Sequence, residues 1–359
     1  MRLLRSDAEG LAAAVETLMS GGIAVIPTDT VYGLAAHPAF PSAVERLYSV
    51  KGRDLRKPIA LLASDAAGAA KFVGSKAAAL GDRYWPGALT VVAHGEGVRV
   101  PDHRWTRELI AACGGALRVT SANMSGRRPA ADAEDALASV GLSADLVVDD
   151  GMSAGGVAST VVRIDDSGRL DVLREGPVEF LVLASSSPRR AAILSRLGVD
   201  FAVVKSDAEE VAFADDPERT VRENALAKGR AVKGRRVLSA DTIVWFGNRI
   251  YGKPKDVAEA KEFLRTLGGN THQVFTGVAY NGEVKVCRSD VTFRPLSDEV
   301  IDEYVARVNP LDRAGAYDID ELGGELLVKS YSGSYENIVG LPVEPLVEWG
   351  VVKEARKPQ

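Results

Sequence analysis

Two short stretches of the chain concentrate small hydroxyl residues where an apolar run gives way to a turn. The first is PTDTVYGL, Pro27 to Leu34, after the run Ile23 to Ile26; the second is ASSSPRR, Ala184 to Arg190, after Phe180 to Leu183. A strand that ends in such a turn presents backbone N–H groups and hydroxyls to an anion. In the second stretch Ser185, Ser187, Arg189 and Arg190 stand where a strand yields to a helix N-terminus, so hydroxyls, free N–H groups and two guanidinium forks converge on one small volume. Phosphate is the anion that suits this set.

The residues that follow differ between the halves. After ASSSPRR come Glu209-Glu210, the helical string ENALAKGRA with Lys228, SADTIVWF with Asp241 and Thr242, and GKP with Lys253. Carboxylates among lysines and arginines suggest metal-assisted hydrolysis of a triphosphate, the acids binding Mg2+ or activating water and the cations holding the leaving group. After PTDTVYGL come KGR (Lys51 to Arg53), WPGALT (Trp85 to Thr90), VRVPDH (Val98 to His103), TSANMSG (Thr120 to Gly126), AST (Ala158 to Thr160) and REG (Arg174 to Gly176). These are hydroxyls, amides and well-spaced cations, with no nucleophile and partnered base among them. They suit a reaction whose substrates bring their own nucleophile while the protein positions them and neutralises phosphate charge. Read alone, Lys51 and Arg53 would be a solvated helix end and His103 an ordinary loop histidine.

The elements that must position these residues alternate in type. In the first half the pattern predicts a helix over Ala8 to Ser20, stopped by Gly21-Gly22, and another over Ser42 to Val50. Strands are expected at Ile23 to Ile26, Pro58 to Leu62, Leu89 to Ala93, Leu117 to Thr120, Asp145 to Val148 and Thr160 to Ile164. In the second half strand Phe180 to Leu183 leads into a helix over Pro188 to Leu197, with Pro188 at its first position and Gly198 at its end. Strands Val237 to Val244, Gln273 to Tyr280 and Val284 to Phe293, with a hairpin at Asn281-Gly282, alternate with helices Val257 to Leu267 and Ser297 to Ala306. Lys261 and Arg265 mark the solvated face of the first of these two helices. Both halves read as α/β, the first with a mixed sheet. The segment LREGPVEF, Leu173 to Phe180, sets charge, Gly and Pro between two strand-like runs, which places the domain boundary near Pro177 and gives domains 1–177 and 178–359.

Composition fits two cores. A length of 359 residues suits two domains, each of roughly 175 residues and large enough to hold a core. The 44 basic and 49 acidic residues give a net charge of −5, with no basic tail or acidic arm to advertise a polyelectrolyte partner. Cys113 and Cys287 stand far apart with no CxxC, so neither a disulfide framework nor a thiolate zinc site is supported, and a reducing cytoplasm fits. The start MRLLRSDAEG is no secretory segment, and no apolar run approaches the roughly 20 residues that span a bilayer. A cytoplasmic protein without a membrane partner is expected.

The first-half strings, in that order, resemble the YrdC-like family of threonylcarbamoyl-AMP synthases. The resemblance implies a reaction of L-threonine, bicarbonate and ATP that gives threonylcarbamoyl-AMP and pyrophosphate for a tRNA modification. By matching motif, Lys51 and Arg53 would hold the triphosphate, and Thr28, Thr30 and Tyr32 would border the threonine and nucleotide pocket. Arg99, Thr120, Ser121, Asn123, Ser159 and Arg174 would complete the cleft. Mg2+ or Mn2+ with the ATP is implied, and a transient contact with tRNA or its modification enzymes and a homodimer are compatible with it. Many members of the broader family carry a C-terminal domain of their own, and here another domain takes that place.

The second-half strings, with GSYENIVGLP (Gly333 to Pro342), resemble the Maf family of nucleoside triphosphate pyrophosphatases. This implies hydrolysis of a nucleoside triphosphate to the monophosphate and pyrophosphate. By that resemblance Asp241 is the candidate base, Glu210 a ligand of water or metal, and Lys228 and Lys253 the phosphate holders. Glu210 and Asp241 are the candidate Mg2+ ligands, and Ser185, Arg189 and Arg190 would line the entrance. Arg189 and Thr242 match the branch that acts on dTTP, UTP and modified pyrimidine nucleotides. That branch usually carries Gln where AGAYDID here puts Asp320, and an ionised carboxylate accepts hydrogen bonds without donating any. Two non-enzymatic readings stand beside these: an RNA-binding first half, which the balanced charge argues against, and a division-regulating interaction protein in the second.

Overall fold

The computed structural model describes residues 2–319 and 323–353. The chain divides between Glu179 and Phe180 into two compact units, and both are α/β.

The first unit runs β1 (Arg2–Arg5), α1 (Ala8–Met19), β2 (Ile23–Ile26), β3 (Gly33–Ala36), α2 (Pro41–Lys51), β4 (Leu61–Ala63), α3 (Ala66–Gly81), β5 (Leu89–Ala93) and β6 (Glu96–Arg99). It continues α4 (Arg104–Ala112), β7 (Ala116–Ser121), α5 (Ala133–Ser139), β8 (Leu146–Asp149), β9 (Thr160–Ile164) and β10 (Leu170–Arg174). The strands lie in the order β1, β8, β2, β3, β7, β4, β6, β5, β9, β10, parallel at β1–β8, β8–β2, β4–β6 and β5–β9 and antiparallel elsewhere. All of β2 is buried because both faces of the sheet are covered. Ile23 and Val25 join a cluster with Leu47 and Ala136 from α2 and α5, whereas Ala24 and Ile26 join Leu18 and Leu109 from α1 and α4. That alternation is the two-residue period of a strand between two helical layers.

Strand β4 is shorter than the pattern Pro58 to Leu62 suggests. Pro58 has no N–H to give a ladder, and the carbonyls of Pro58 and Ile59 accept instead from Arg53 Nη2 (3.0 Å) and Arg118 Nη1 (2.8 Å). Helices α3, α4 and α5 begin at residues whose side chains accept from the first turn's N–H groups, namely Asp65, His103 and Asp132.

The second unit runs β11 (Leu181–Ala184), α6 (Pro188–Arg196), β12 (Phe201–Val204), α7 (Pro217–Arg230), β13 (Arg236–Phe246), β14 (Arg249–Tyr251), α8 (Val257–Leu267), β15 (Thr271–Tyr280) and β16 (Glu283–Phe293). It closes with α9 (Asp298–Arg307), α10 (Gly324–Leu327), β17 (Val328–Ser332), α11 (Tyr335–Val339) and α12 (Glu344–Glu348). Strands β12, β11 and the start of β13 are parallel, and β13, β15, β16 and β17 form an antiparallel meander with β14 added beside the end of β13. Asn281 and Gly282 both take positive φ in the hairpin between β15 and β16, the conformation of a tight turn whose twist matches its strands. One core gathers Phe263, Ile301 and Phe293 under α8 and α9, and another gathers Leu183, Leu194 and Leu346 under α6 and α12.

Helix α7 crosses β15 at Gly277. A Cβ there would lie 2.3 Å from the Val221 carbonyl oxygen, so only glycine permits this close approach. Among the described residues no helix is long and apolar enough to cross a membrane, and both cysteines are free thiols.

Candidate functional site

Each unit holds a cavity at strand ends, lined by its own signature. In the first unit β2 ends at Ile26 and the chain turns through Thr28, whose Oγ1 donates to the Val31 carbonyl (2.6 Å) and accepts from the N–H groups of Thr30 and Val31. The hydroxyl that the sequence offers to a ligand is therefore also what shapes the turn. Beside it Arg99, at the end of β6, donates to Thr30 Oγ1 (2.8 Å) and the Gly87 carbonyl (2.9 Å) and pairs with the Asp29 carboxylate. Burial lowers the Arg99 pKa, and the adjoining Asp29 opposes that shift. Arg99 is a buried brace of the turn that also reaches the cavity wall.

The cavity, of about 340 Å3, is walled by Thr28, Thr30, Tyr32, Arg99, Ser159 and Arg174 among others, with Arg53, Thr120 and Ser121 completing the polar part. Its size is that of a small-molecule site. The Tyr32 hydroxyl points away, donating to the Gly151 carbonyl (2.7 Å) and accepting from the Asp150 N–H (2.9 Å), so the ring is what the cavity meets. Burial pushes that phenol up to about 12 despite the Asp150 hydrogen bond. Arg174 lies on Ser159, donating to its carbonyl (2.7 and 3.0 Å) and Oγ (3.1 Å). Gly176 makes this possible: a Cβ there would stand 2.4 Å from the Thr160 nitrogen.

Two expected contacts of the substrate lie behind the wall. Lys51 is buried, and its ammonium donates to the carbonyls of Ser121 and Asn123, the latter at 2.5 Å. Burial, with Arg53 nearby, lowers its pKa to about 8. Asn123 donates to the carbonyls of Met124 (2.9 Å) and Arg127 (2.7 Å). Lys51 thus holds the strand end that carries Ser121, and Asn123 the loop that follows it. Lys51 closes α2 and turns its ammonium inward to the end of β7 at Ser121, which residue type alone does not disclose. His103 caps α4 through Thr106 and reaches Asp150 with Nε2 (2.9 Å).

The second unit's cavity, of about 560 Å3, opens where β11 meets α6. Ser185, Arg189, Arg190, Glu210, Lys228, Asp241, Thr242 and Lys253 all line it. Arg190 is a brace within that lining: it is buried and its fork donates to the Gly340 carbonyl (2.8 Å), Ser185 Oγ (3.2 Å) and Thr242 Oγ1 (3.0 Å). Pro188 opens α6, and the helical spacing turns Arg190 inward while Arg189 faces Asp312, donating to its carbonyl at 3.1 Å. Burial lowers the Arg190 pKa, and the nearby carboxylate of Asp241 works against that.

The carboxylates meet at Lys228, on α7. Its ammonium stands 2.6 Å from Asp241 Oδ1 and 2.8 Å from Glu210 Oε1. Asp241, on β13, is buried, while Glu210 lies in the irregular segment before α7 and is more open. Burial raises the Glu210 pKa, but the hydrogen bond from Lys228 and the charges of Lys253 and Arg190 outweigh it and leave a net lowering. Glu210 is thereby kept ionised. Two carboxylate donors suit Mg2+, which keeps several waters and takes further ligands from substrate phosphates. Among the described residues no cluster of three or more His, Cys, Asp or Glu forms a full metal cage, so Glu210 and Asp241 would hold the ion jointly with substrate.

Asp320 lies outside the described residues. Its neighbours Asp318 and Ile319 are on the cavity wall, and Asp318 pairs with the buried Arg313. Residue types alone did not single out Arg313, Asp312, Tyr317 or Thr276. Thr276 faces Thr242 directly across β13 and β15, with their hydroxyls 3.0 Å apart. Asn224 was missed too, although it stands four residues before Lys228 on one helical face, a spacing that could have flagged it. Its Nδ2 donates to Asp241 Oδ2 at 2.9 Å.

The geometry thus defines a chain of two α/β domains, each with its own cavity at strand ends. The family model of the Sua5, YciO and YrdC proteins, described as telomere recombination, matches residues 16–176, and that of Maf-like proteins matches 180–349. The second half is similar to a dTTP/UTP pyrophosphatase of Bacillus cereus, 44% identical over 188 residues that make up 50% of this chain and 92% of that protein. One from Bacillus cytotoxicus is 46% identical over 175 residues, 46% of this chain and 91% of that protein. Among solved structures, P. abyssi Sua5 complexed with L-threonine is 25% identical with a TM-score of 0.47, covering 62% of this chain and 67% of that one. E. coli YciO is 24% identical with a TM-score of 0.45, covering 49% and 95%. The chain belongs to the Maf-like family through its second unit, and its first unit is a Sua5/YrdC domain.

Proposed function

We propose that the chain is a bifunctional enzyme whose two sites each cleave a nucleoside triphosphate between the α and β phosphorus atoms. The second site would hydrolyse dTTP, UTP and related pyrimidine nucleotides to monophosphate and pyrophosphate. The observation that carries this is the pair of carboxylates on Lys228, set in one cavity with Arg189 and Lys253. The substrate specificity named for the Bacillus relatives supports the choice of nucleotide. Asp241, buried and fixed at both oxygens by Asn224 and Lys228, would accept a proton from the attacking water. Lys253 and Arg189 would neutralise the departing pyrophosphate. Mg2+ bound by Glu210, Asp241 and the phosphates would supply charge neutralisation on the triphosphate.

The first site would join L-threonine, bicarbonate and ATP into threonylcarbamoyl-AMP. Its wall of hydroxyls and guanidinium groups, without a protein nucleophile, supports a role of orientation and charge neutralisation. Incubation of the purified chain with dTTP or UTP and Mg2+ is expected to release monophosphate and pyrophosphate. Incubation with ATP and bicarbonate is expected to release pyrophosphate only when L-threonine is present. Absence of either release would remove that half of the proposal.

A further inference from the structure

We propose that Asn224 is a positioning residue that sets Glu210 and Asp241 at their working separation, an inference that rests on the hydrolytic reading of this cavity. Asn224 is buried on α7, and every polar group of its side chain is engaged. Oδ1 accepts from the Val211 N–H at 2.8 Å, while Nδ2 donates to the Val211 carbonyl at 3.0 Å and to Asp241 Oδ2 at 2.9 Å. One amide therefore clamps, at two points, the backbone of the residue that follows Glu210, and also holds the far oxygen of Asp241.

That connection answers a problem of the fold. Asp241 stands on a central strand whose place is given by ladders on both sides. Glu210 sits in residues 205–213, which form no helix or strand, so no ladder fixes it. Lys228 bridges the two carboxylates with a single flexible ammonium. The planar amide of Asn224 adds a rigid link, and a positioned pair lowers the reorganisation needed when substrate arrives. Aspartate at this place would keep an acceptor for the Val211 N–H but would set a carboxylate oxygen against Asp241 Oδ2 and the Val211 carbonyl. Alanine would remove all three bonds.

The test uses the full chain with Asn224→Asp and Asn224→Ala. Steady-state dTTP hydrolysis is measured against Mg2+ concentration, and calorimetry measures binding of α,β-imido-dTTP with and without Mg2+. Loss of an outer-shell partner costs about 10- to 100-fold in metal affinity or activity, so kcat should fall by that range with KM little changed. The Mg2+ concentration for half-maximal rate should rise at least about 10-fold, the lower end of the same expectation. Analogue binding without metal should match the unsubstituted chain, while the gain on adding Mg2+ is lost. A purely structural role would weaken both modes of binding together. The inference is overturned if Asn224→Asp keeps kcat and Mg2+ dependence, or if KM carries the whole loss. Should Asn224→Ala fail to fold, the near-isosteric Asn224→Asp decides. If the unsubstituted chain hydrolyses neither dTTP nor UTP, the hydrolytic reading fails, and the Mg2+-dependent gain in analogue binding still decides the role of Asn224.

Discussion

Asp241 is held at both oxygens by donors, Asn224 and Lys228, and is buried at the floor of a polar cavity. Asp241→Asn keeps the shape and removes the base, so kcat for dTTP hydrolysis should fall about 100- to 10,000-fold, the usual worth of a positioned general base. Steady-state kinetics on the folded variant checks this, and a loss below tenfold would dismiss Asp241 as the base. A second residue matters for stability. His272 is fully buried, bonded through Nε2 to the Tyr317 hydroxyl (2.9 Å) and packed edge-on against Phe293. Burial lowers its pKa from 6.5 to about 4. The unfolded chain therefore takes up a proton below about pH 6.5 that the folded one refuses, so stability is complete above that pH and declines as pH falls toward 4. The contribution is on the order of 3 kcal/mol across the window. Urea unfolding at pH 7 and pH 4.5 should show a smaller loss in His272→Gln than in the unsubstituted chain. Residue chemistry was legible where type implies role: hydroxyls in a post-strand turn and carboxylates among cations do line cavities. It was not legible for Lys51, whose ammonium points into carbonyl oxygens behind the wall, or for the bracing bonds that Arg190 makes from within the lining to Gly340, Ser185 and Thr242. Charge signals affinity for oxygen, and only packing decides whether that oxygen belongs to a ligand or to the backbone.

At the scale of elements, α7 is the part that assembles the second site. It carries both Asn224 and Lys228, and it is held against β15 where Val221 meets Gly277. Gly277→Ala would drive a methyl into the Val221 carbonyl, with the nearest atoms at 2.3 and 2.6 Å, all backbone and unable to rotate aside. The helix must then lift, at a cost of about 1–3 kcal/mol. Because Asn224 and Lys228 ride on it, dTTP hydrolysis should drop at least about tenfold, as misplacement by an ångström can cost more than that. Thermal unfolding and kinetics on one preparation check both, and an unchanged rate would show that α7 does not set the site. The elements themselves were largely legible. Ala8–Met19, Val257–Leu267 and the β15–β16 hairpin follow the predicted pattern because caps, glycines and alternation all agree there. Helices α3, α4 and α5 were not read: α3 is alanine-rich and kinked at Gly74, α5 is only seven residues long, and α4 went unread although Trp105, Thr106, Leu109 and Ile110 recur at helical spacing. Sheet order was beyond reach for a different reason. That β4 lies between β6 and β7 depends on long-range pairing, and no local pattern encodes a partner.

At the scale of the molecule, the chain carries its two cavities in separate packing units. The clusters around Ile23 and Ala24 draw on the first unit alone, and those around Leu181 and Val244 on the second. Each cavity is walled by residues of its own unit. Two cores that fold around two cavities predict two activities that can be removed one at a time, since substitutions without shared partners act additively. Arg174→Ala removes a guanidinium from the first cavity and frees Ser159 from its three contacts. It should reduce threonine-dependent pyrophosphate release at least about tenfold, the scale of losing a charged hydrogen bond to a phosphate, and leave dTTP hydrolysis within about twofold. Asp241→Asn should do the reverse. Both reactions release pyrophosphate, so the readout must separate them by omission: threonine withheld in one arm and dTTP or UTP withheld in the other. A chain carrying both substitutions should lose both activities, each by its single-variant factor. If either single variant lowers the other reaction more than about twofold, the sites are coupled by an interaction free energy, and the two-enzyme description gives way to one of communication between domains.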